Sequence, residues 1–325
     1  MGRYYAFTHD VAYMKKHTTG EAAKALDVSF ITIKRWIYTG KIRAQKDADG
    51  WWLIDDEELQ RVKEHIGSTT KNLDQRILHI VEEKGVAYLR ELQVGFEEES
   101  LHRDTYAALK RLTPTQLQTR EEWGNRWYFP IGKEWSDLAN LAKTKAELAK
   151  AYVNHPRRYE NNSIVYLDYS EYLVERALLD AGFTVAARDT YYFNGNMYRP
   201  NDSAGRPSDI DFIAQMPSTG IYIGIQVKNR MEHPKLADVQ QLLEICRTLH
   251  LRPIMVARIF HPLTFDIMKS NRGMAIPCKR YFLQPPFPHE TFQALNQMGI
   301  PIGVYRRPPD FLVRAFIELP KRMAA

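Results

Sequence analysis

Asp209-Ile210-Asp211-Phe212 is followed, after a short turn, by Ile221-Tyr222-Ile223-Gly224-Ile225-Gln226-Val227-Lys228. The two runs predict a β-hairpin with carboxylates on one strand and an amide and an ammonium on the other. Alternation puts Asp209 and Asp211 on one face of the first strand, and Gln226 and Lys228 on one face of the second, opposite Ile225 and Val227. If the polar faces coincide, an acid, an amide oxygen and a lysine converge beside an apolar ladder. Burying such groups is costly unless they bind something or one another. A divalent metal and a phosphodiester would answer that need.

The rest of the chain limits what this hairpin can belong to. At 325 residues it is long enough for two or three domains, and 44% hydrophobic residues can build their cores. A formal net charge of +6 is compatible with nucleic acid without requiring it. Cys246 and Cys278 are too far apart for paired metal ligands and read as buried thiols of a reducing compartment. No apolar run approaches the roughly 20 residues that span a bilayer, and Met1 to Lys16 lacks a signal-peptide core. The expectation is a soluble cytoplasmic protein with no membrane partner.

The elements around the hairpin give it context. Glu171 to Ala181 predicts a helix capped by Ser170, with Leu173, Val174, Ala177 and Leu178 on its apolar face and Gly182 at its end. Phe183 to Ala187 predicts a strand, and Asn194 to Pro207 a polar loop. Beyond the hairpin, Ala237 to Leu249 predicts a helix and Pro253 to Ala257 a buried strand. The order is α-β-β-β-α-β. Lys279 to Ala325 predicts a closing helix and strand that complete the sheet, with Arg306-Arg307 solvated or facing phosphate.

An acid on the first helix, an aspartate on the hairpin and a spaced lysine after it, in this element order, resemble the PD-(D/E)xK nuclease superfamily over residues 165–285. Within it, the likeness is to Mrr-type restriction nucleases and archaeal Holliday-junction-resolvase-like folds. The resemblance implies an α/β domain with a restriction-endonuclease-like mixed sheet flanked by helices. It also implies Mg²⁺, with Mn²⁺ able to substitute. Glu171 matches the first-helix acid, Asp211 the hairpin aspartate and Gln226-Val227-Lys228 the last motif. Gln226 departs from the commoner Glu or Asp, as Mrr-type nucleases often do.

By that resemblance Asp211, Gln226 and the Val227 carbonyl would hold the metal, with Glu171 binding through water or a second ion. Lys228 would orient the attacking water or steady developing charge. Asp209 and Glu175 are the alternatives to Asp211 and Glu171. Asn229 and Arg230 are candidates for phosphate, and Gln240 and Gln241 for facing the site. His261 reads as a loop residue. An acid–lysine pair on neighbouring strands is also often a half-exposed ion pair worth ~0–1 kcal/mol.

The N-terminal third reads as two small helical modules. Thr18-Thr19-Gly20-Glu21 is a capping-box start, leading into a short helix to Leu26. Asp27 to Ser29 is a turn, Phe30 to Tyr38 a second helix, and Ile42 to Ala44 with Trp51 to Ile54 a strand–turn–strand wing. These residues, with Arg35-Trp36 and Gly40-Lys41-Ile42, resemble the MerR and excisionase winged helix-turn-helix domains over residues 16–66, departing at Asp27. The resemblance would turn Ser29, Thr32 and Arg35 to the major groove and place Arg43 and Lys46 on the wing. Lys34 joins them, unless Lys34 and Arg35 are a solvated helix face.

Residues 73–130 look like a second winged helix, with Tyr106, Leu109 and Leu112 inward on Leu101 to Leu112. An interaction or dimerisation module is an equal alternative, and Trp123 and Trp127 read as packing residues. Trp135 to Tyr152 predicts a long helix that links this region to the C-terminal half. The expected divisions are 1–68, 69–133, 134–160 and 161–325: small winged helix-turn-helix domains, a helical linker and the α/β domain. They suggest a metal-dependent endonuclease of double-stranded DNA, of restriction or phage-defence type and bacterial, archaeal or phage origin, acting as a homodimer. The alternatives are a DNA-binding regulator with an inactive nuclease fold, or a junction- or RNA-directed nuclease.

Overall fold

The computed structural model describes residues 16–26, 33–34, 36–37, 42–47, 50–97, 100, 102–113, 115–199, 209–217 and 219–324. Ser29, Thr32 and Arg35, with most of the expected second helix, lie outside the described residues.

The chain begins with β1 (Lys16–Thr18), α1 (Thr19–Ala25), β2 (Gln45–Lys46) and β3 (Trp52–Asp55). The strands form an antiparallel sheet in the order β1-β3-β2. The expected capping box starts α1: the Glu21 amide donates to Thr18 Oγ1 at 3.3 Å, and the Thr18 amide to Glu21 Oε2 at 2.8 Å. Ala22, Ala23, Leu26, Ile33, Ile37, Ile42 and Ile54 close a small core, joined by Leu59 and Val62 from the next helix.

That helix, α2 (Asp56–Lys84), is 29 residues long. The division expected at residue 68 falls inside it, so both N-terminal modules share one helix. Gly67 interrupts the helical pattern in the sequence, but a single interior glycine costs only about 1 kcal/mol. After α2 come β4 (Ala87–Tyr88), α3 (Leu89–Gly95), α4 (His102–Leu112), β5 (Leu117–Glu122) and β6 (Asn125–Pro130), with sheet order β4-β6-β5. Ile77, Val81, Leu92, Phe96, Ala108, Leu109 and Leu112 fill this second core. Tyr106, expected inward, is 41% exposed and accepts a hydrogen bond from Arg126. Thr105 and Ala108 take the inward positions instead.

The helix α5 (Trp135–Val153) connects the modules to the remainder and also builds a core between them. Its Ala142, Ala146, Ala149 and Tyr152 pack with Val86, Trp127 and Phe129 on one side and Tyr281, Leu295 and Ile302 on the other. Lys145 is buried there, donating to the Val86 carbonyl at 2.6 Å and to Glu91 at 3.2 Å.

The α/β region runs β7 (Tyr159–Asn161), β8 (Ile164–Tyr166), α6 (Tyr169–Asp180), β9 (Thr184–Thr190), β10 (Tyr192–Phe193), β11 (Asn196–Met197), β12 (Ile210–Gln215), β13 (Tyr222–Lys228), α7 (Leu236–Thr248) and β14 (Arg252–Ala257). It continues with α8 (Pro262–Ser270), β15 (Met274–Pro277), β16 (Tyr281–Leu283), α9 (His289–Gln297), β17 (Ile302–Val304) and α10 (Asp310–Ala324). A five-stranded mixed sheet has the order β15-β14-β13-β12-β9, with β13, β14 and β15 parallel and β12 antiparallel to both neighbours.

Helices cover both faces. Leu173, Val174 and Leu178 of α6 and Leu312, Phe316 and Leu319 of α10 pack on Phe212, Ile225, Val227 and Val256. Val239, Leu242 and Cys246 of α7 and Met268 of α8 pack on Ile210, Ile213, Met255 and Ala275. Helix α7 comes so close that a Cβ at Gly224 would lie 2.7 Å from Cys246 Sγ, so only glycine fits. Gly182 ends α6 at φ 83°, the backbone state expected of a C-terminal glycine.

The structure is therefore a mixed α/β fold with a helix-flanked sheet. The tail corrects one expectation: β16 and β17 pair with each other, and the main sheet ends on β15. Among the described residues no helix is long and apolar enough to cross a membrane. Cys246 and Cys278 are free and buried, as expected.

Candidate active site

The hairpin forms as its alternation dictates, with Phe212 opposite Ile225 and Gln215 opposite Tyr222. Past the Phe212–Ile225 pair the backbone ladder stops and a side chain takes over. Asp211 Oδ2 accepts the Val227 amide at 2.5 Å, and Asp211 Oδ1 accepts Gln226 Nε2 at 2.7 Å. Asp211 is 8% exposed. Burial pushes its carboxyl up to about 8, with Glu171 adding to the rise and the Val227 amide and Lys228 opposing it.

Glu171 reaches the same neighbourhood from α6. The helix starts two residues earlier than Ser170 capping would give. Asp168 is the cap, accepting the Ser170 amide at 2.9 Å, and Glu171 Oε2 accepts the Leu167 and Asp168 amides at 3.0 and 3.3 Å. Burial raises the Glu171 carboxyl to about 7, reinforced by the charges of Asp168 and Asp189. Two acids that would be ionised in water are thus pushed towards their protonated forms, by burial first and by neighbouring carboxylates second.

Lys228 ends β13, half-buried, beside Ala257 of the parallel β14. Its charge eases the ionisation of Asp211. Asp209 is exposed just before β12, and its charge also acts on Asp211. The structure thus brings Glu171, Asp209, Asp211, Gln226, Val227 and Lys228 together at one end of the central strands.

Other candidates have different surroundings. Glu175 is 2% exposed, accepts the Tyr166 hydroxyl at 2.5 Å and forms an ion pair with Arg188. Both of its oxygens are taken, so it is not interchangeable with Glu171. Asn229 braces the fold: it donates to Asp168 Oδ1 and to the Phe282 carbonyl and accepts the Phe282 amide, each at 2.9 Å. Arg230 pairs with Asp238 at 3.3 Å. Gln240 and Gln241 are exposed on α7, and His261 caps α8 by accepting the Leu263 amide.

In the N-terminal module, the helical Lys34 and the strand residue Lys46 are exposed, and Lys46 lies over the Trp52 ring at 5.2 Å. Arg43 is committed to Glu58: its Nε and one terminal nitrogen donate to Oε2 at 3.0 and 2.8 Å. Arg61 also donates to Glu58, and the hydrogen bonds from these arginines, Arg61's above all, hold the Glu58 carboxyl down at about 2.

Asp189 was not anticipated. It sits on β9 at φ 43°, between Arg188, which pairs with Phe212, and Thr190, which pairs with Ile210, and so beside Asp211. Partial burial and Asp209 push its carboxyl up. The expected strand stops at Ala187; two more residues bring it to Asp189, alongside Asp211.

The donor set is hard oxygen, which suits Mg²⁺. Asp211 and Glu171 are acids that a cation would relieve of mutual repulsion. Gln226 would have to turn its carbonyl inward, since its NH₂ now faces Asp211. Among the described residues no three His, Cys, Asp or Glu side chains are grouped to hold a metal ion, so water and substrate oxygens would complete the shell. Comparison with protein-family models, curated proteins and solved structures finds no match.

Proposed function

We propose that this protein is a metal-dependent DNA endonuclease. The observation that carries this reading is the convergence of Asp211, Glu171 and Gln226 with Lys228, where the buried Asp211 is pushed to about 8 and the half-buried Glu171 to about 7. Such displaced carboxyls are characteristic of sites built for a ligand rather than for stability. Mg²⁺, when bound, supplies Lewis-acid polarisation of a phosphoryl oxygen and acidifies a water.

The chain's own residues do the rest. Asp211 is fixed by the Val227 amide, so its lone pairs keep one direction. Glu171 is fixed by two backbone amides at the start of α6. Lys228 offers a proton donor and a positive charge to the phosphate as negative charge grows on it. The burial of Asp211 strengthens its interactions with these partners.

The N-terminal modules fit a targeting role. We read each as a winged helix-turn-helix, from a three-stranded sheet packed on short helices in each. Lys34 and Lys46 would meet phosphate, and the arrangement suits restriction or phage defence, with a homodimer cutting both strands.

One observation favours the non-catalytic alternative: Gln226 donates to Asp211 and covers the oxygen that a metal would use. Incubating plasmid DNA with the protein in Mg²⁺, and in parallel in EDTA, separates the two. Nicked or linear product only with Mg²⁺ supports the nuclease. Intact plasmid in both, with DNA still retained in a gel-shift assay, supports the regulator.

A further inference from the structure

Lys228 also borders a small chamber of opposite character to the acid cluster. Ser170, Lys228, Asn229, Arg258 and Arg280 line it together with apolar residues of β13, β14 and the β15–β16 connection. Its free space for the centre of a water-sized sphere is about 10 Å³, room for one oxygen atom. No Asp or Glu is among the described residues that line it.

Two polar atoms of its lining residues, Ser170 Oγ and Arg258 Nε, lack partners. Ser170 is 1% exposed, and its Oγ is buried with no hydrogen-bond partner. Arg258, also 1% exposed, spends its terminal nitrogens on Glu97 and on the Met231 carbonyl, while its Nε is buried without a partner. An unsatisfied buried donor costs about 1–3 kcal/mol, so two on the walls of one chamber call for an acceptor. Lys228 and Arg280 add positive charge, and Ser170 sits in the first turn of the 12-residue α6. Of the acids around it, Glu97 is paired with Arg258, and Asp168 is engaged by Asn229 and faced by Arg157 at 4.0 Å.

We infer that this chamber is an anion subsite that takes one oxygen of a phosphate group, seated by Ser170 Oγ, Arg258 Nε and Lys228, with Arg280 closing over the rest. This deepens the nuclease reading and rests on it for the phosphate's owner, the DNA backbone or a DNA end. Lys228 then serves both the acids that attract a cation and the chamber that attracts the phosphate.

The test uses the full chain in EDTA, so that it reads binding and not turnover. Three probes are titrated: inorganic phosphate, a short duplex with 5′-phosphate ends, and the same duplex with 5′-hydroxyl ends. Phosphate is expected to raise the melting midpoint saturably, and Ser170→Ala and Arg280→Gln each to weaken that response about 10-fold, the loss of one hydrogen bond to a charged group. Without phosphate, Ser170→Ala should not lower the midpoint, because the hydroxyl has no bond to lose. A lowered midpoint there, or a phosphate response that Ser170→Ala leaves intact, overturns the subsite.

Competition by the phosphorylated duplex alone assigns a DNA end, and equal competition by both duplexes assigns the backbone. Competition by neither overturns the DNA assignment. An inactive protein that still binds phosphate through Ser170 contradicts only the nuclease reading. An active one without the phosphate response contradicts only the subsite.

Discussion

Asp211 Oδ2 accepts the Val227 amide at 2.5 Å, in the place where the hairpin ladder would otherwise continue. The carboxylate is therefore part of the strand pairing and also the most electrostatically displaced acid of the site. That double role ties the site to stability.

An acid whose folded pKa lies above its unfolded one binds protons more tightly when folded. Its contribution to stability is complete below the unfolded pKa and is lost as pH rises towards the folded one. For Asp211 the window runs from 3.8 to about 8, and for Glu171 from 4.5 to about 7. The melting midpoint of the metal-free protein should thus fall between pH 5 and pH 8, by the equivalent of about 3 kcal/mol. Asp211→Asn should remove most of that fall, and Mg²⁺ should flatten it in the parent. An unchanged pH profile in Asp211→Asn would refute the assignment.

Glu175 and Glu171 lie one helical turn apart and should respond in opposite ways. Glu175→Gln breaks the buried contact with Arg188 and Tyr166 and should cost about 2–3 kcal/mol, with cleavage by the folded fraction within about 3-fold of the parent. Glu171→Gln, whose amide oxygen can still accept the two backbone amides, should not lower stability at neutral pH and should lower cleavage about 100-fold. Urea denaturation and a cleavage time course on both variants decide it; the reverse pattern would exchange their roles.

Reading the sequence reached the hairpin because period-two alternation with polar groups on one face is a local signal. It reached the Thr18–Glu21 capping box for the same reason. Serine and aspartate both cap well, and the Asp168–Glu171 capping box that starts α6 two residues before the Ser170 reading is itself a local pattern that the Ser170 reading passes over. Commitment of Glu175 to Arg188 and of Arg43 to Glu58 is, by contrast, tertiary and invisible locally. β15 is only four residues, Met274–Pro277, too short to show a period, so the edge of the sheet is not legible locally. Tyr106 falls three residues before Leu109, the spacing of a helix's core face, but its hydroxyl finds Arg126 outside.

The second module is tied to the sheet through Glu97 and the buried Arg258. Glu97→Gln leaves a guanidinium buried without its counter-charge and should destabilise the protein by about 3 kcal/mol. Arg258→Lys should not preserve the link, because lysine lacks the two-pronged donor. Loss of a single cooperative urea transition in Glu97→Gln is the expected sign. An unaltered midpoint and slope would mean that the pair does not hold the module in place.

Single-turnover cleavage of a duplex or plasmid substrate in Mg²⁺ tests the central claim most directly. The parent should cut, and EDTA should abolish cutting. Asp211→Asn and Lys228→Met, each folded as judged by circular dichroism, should each be slowed by about 100-fold or more. Cleavage at the parental rate by either variant, or no Mg²⁺-dependent cleavage of any DNA by the parent, would contradict the account.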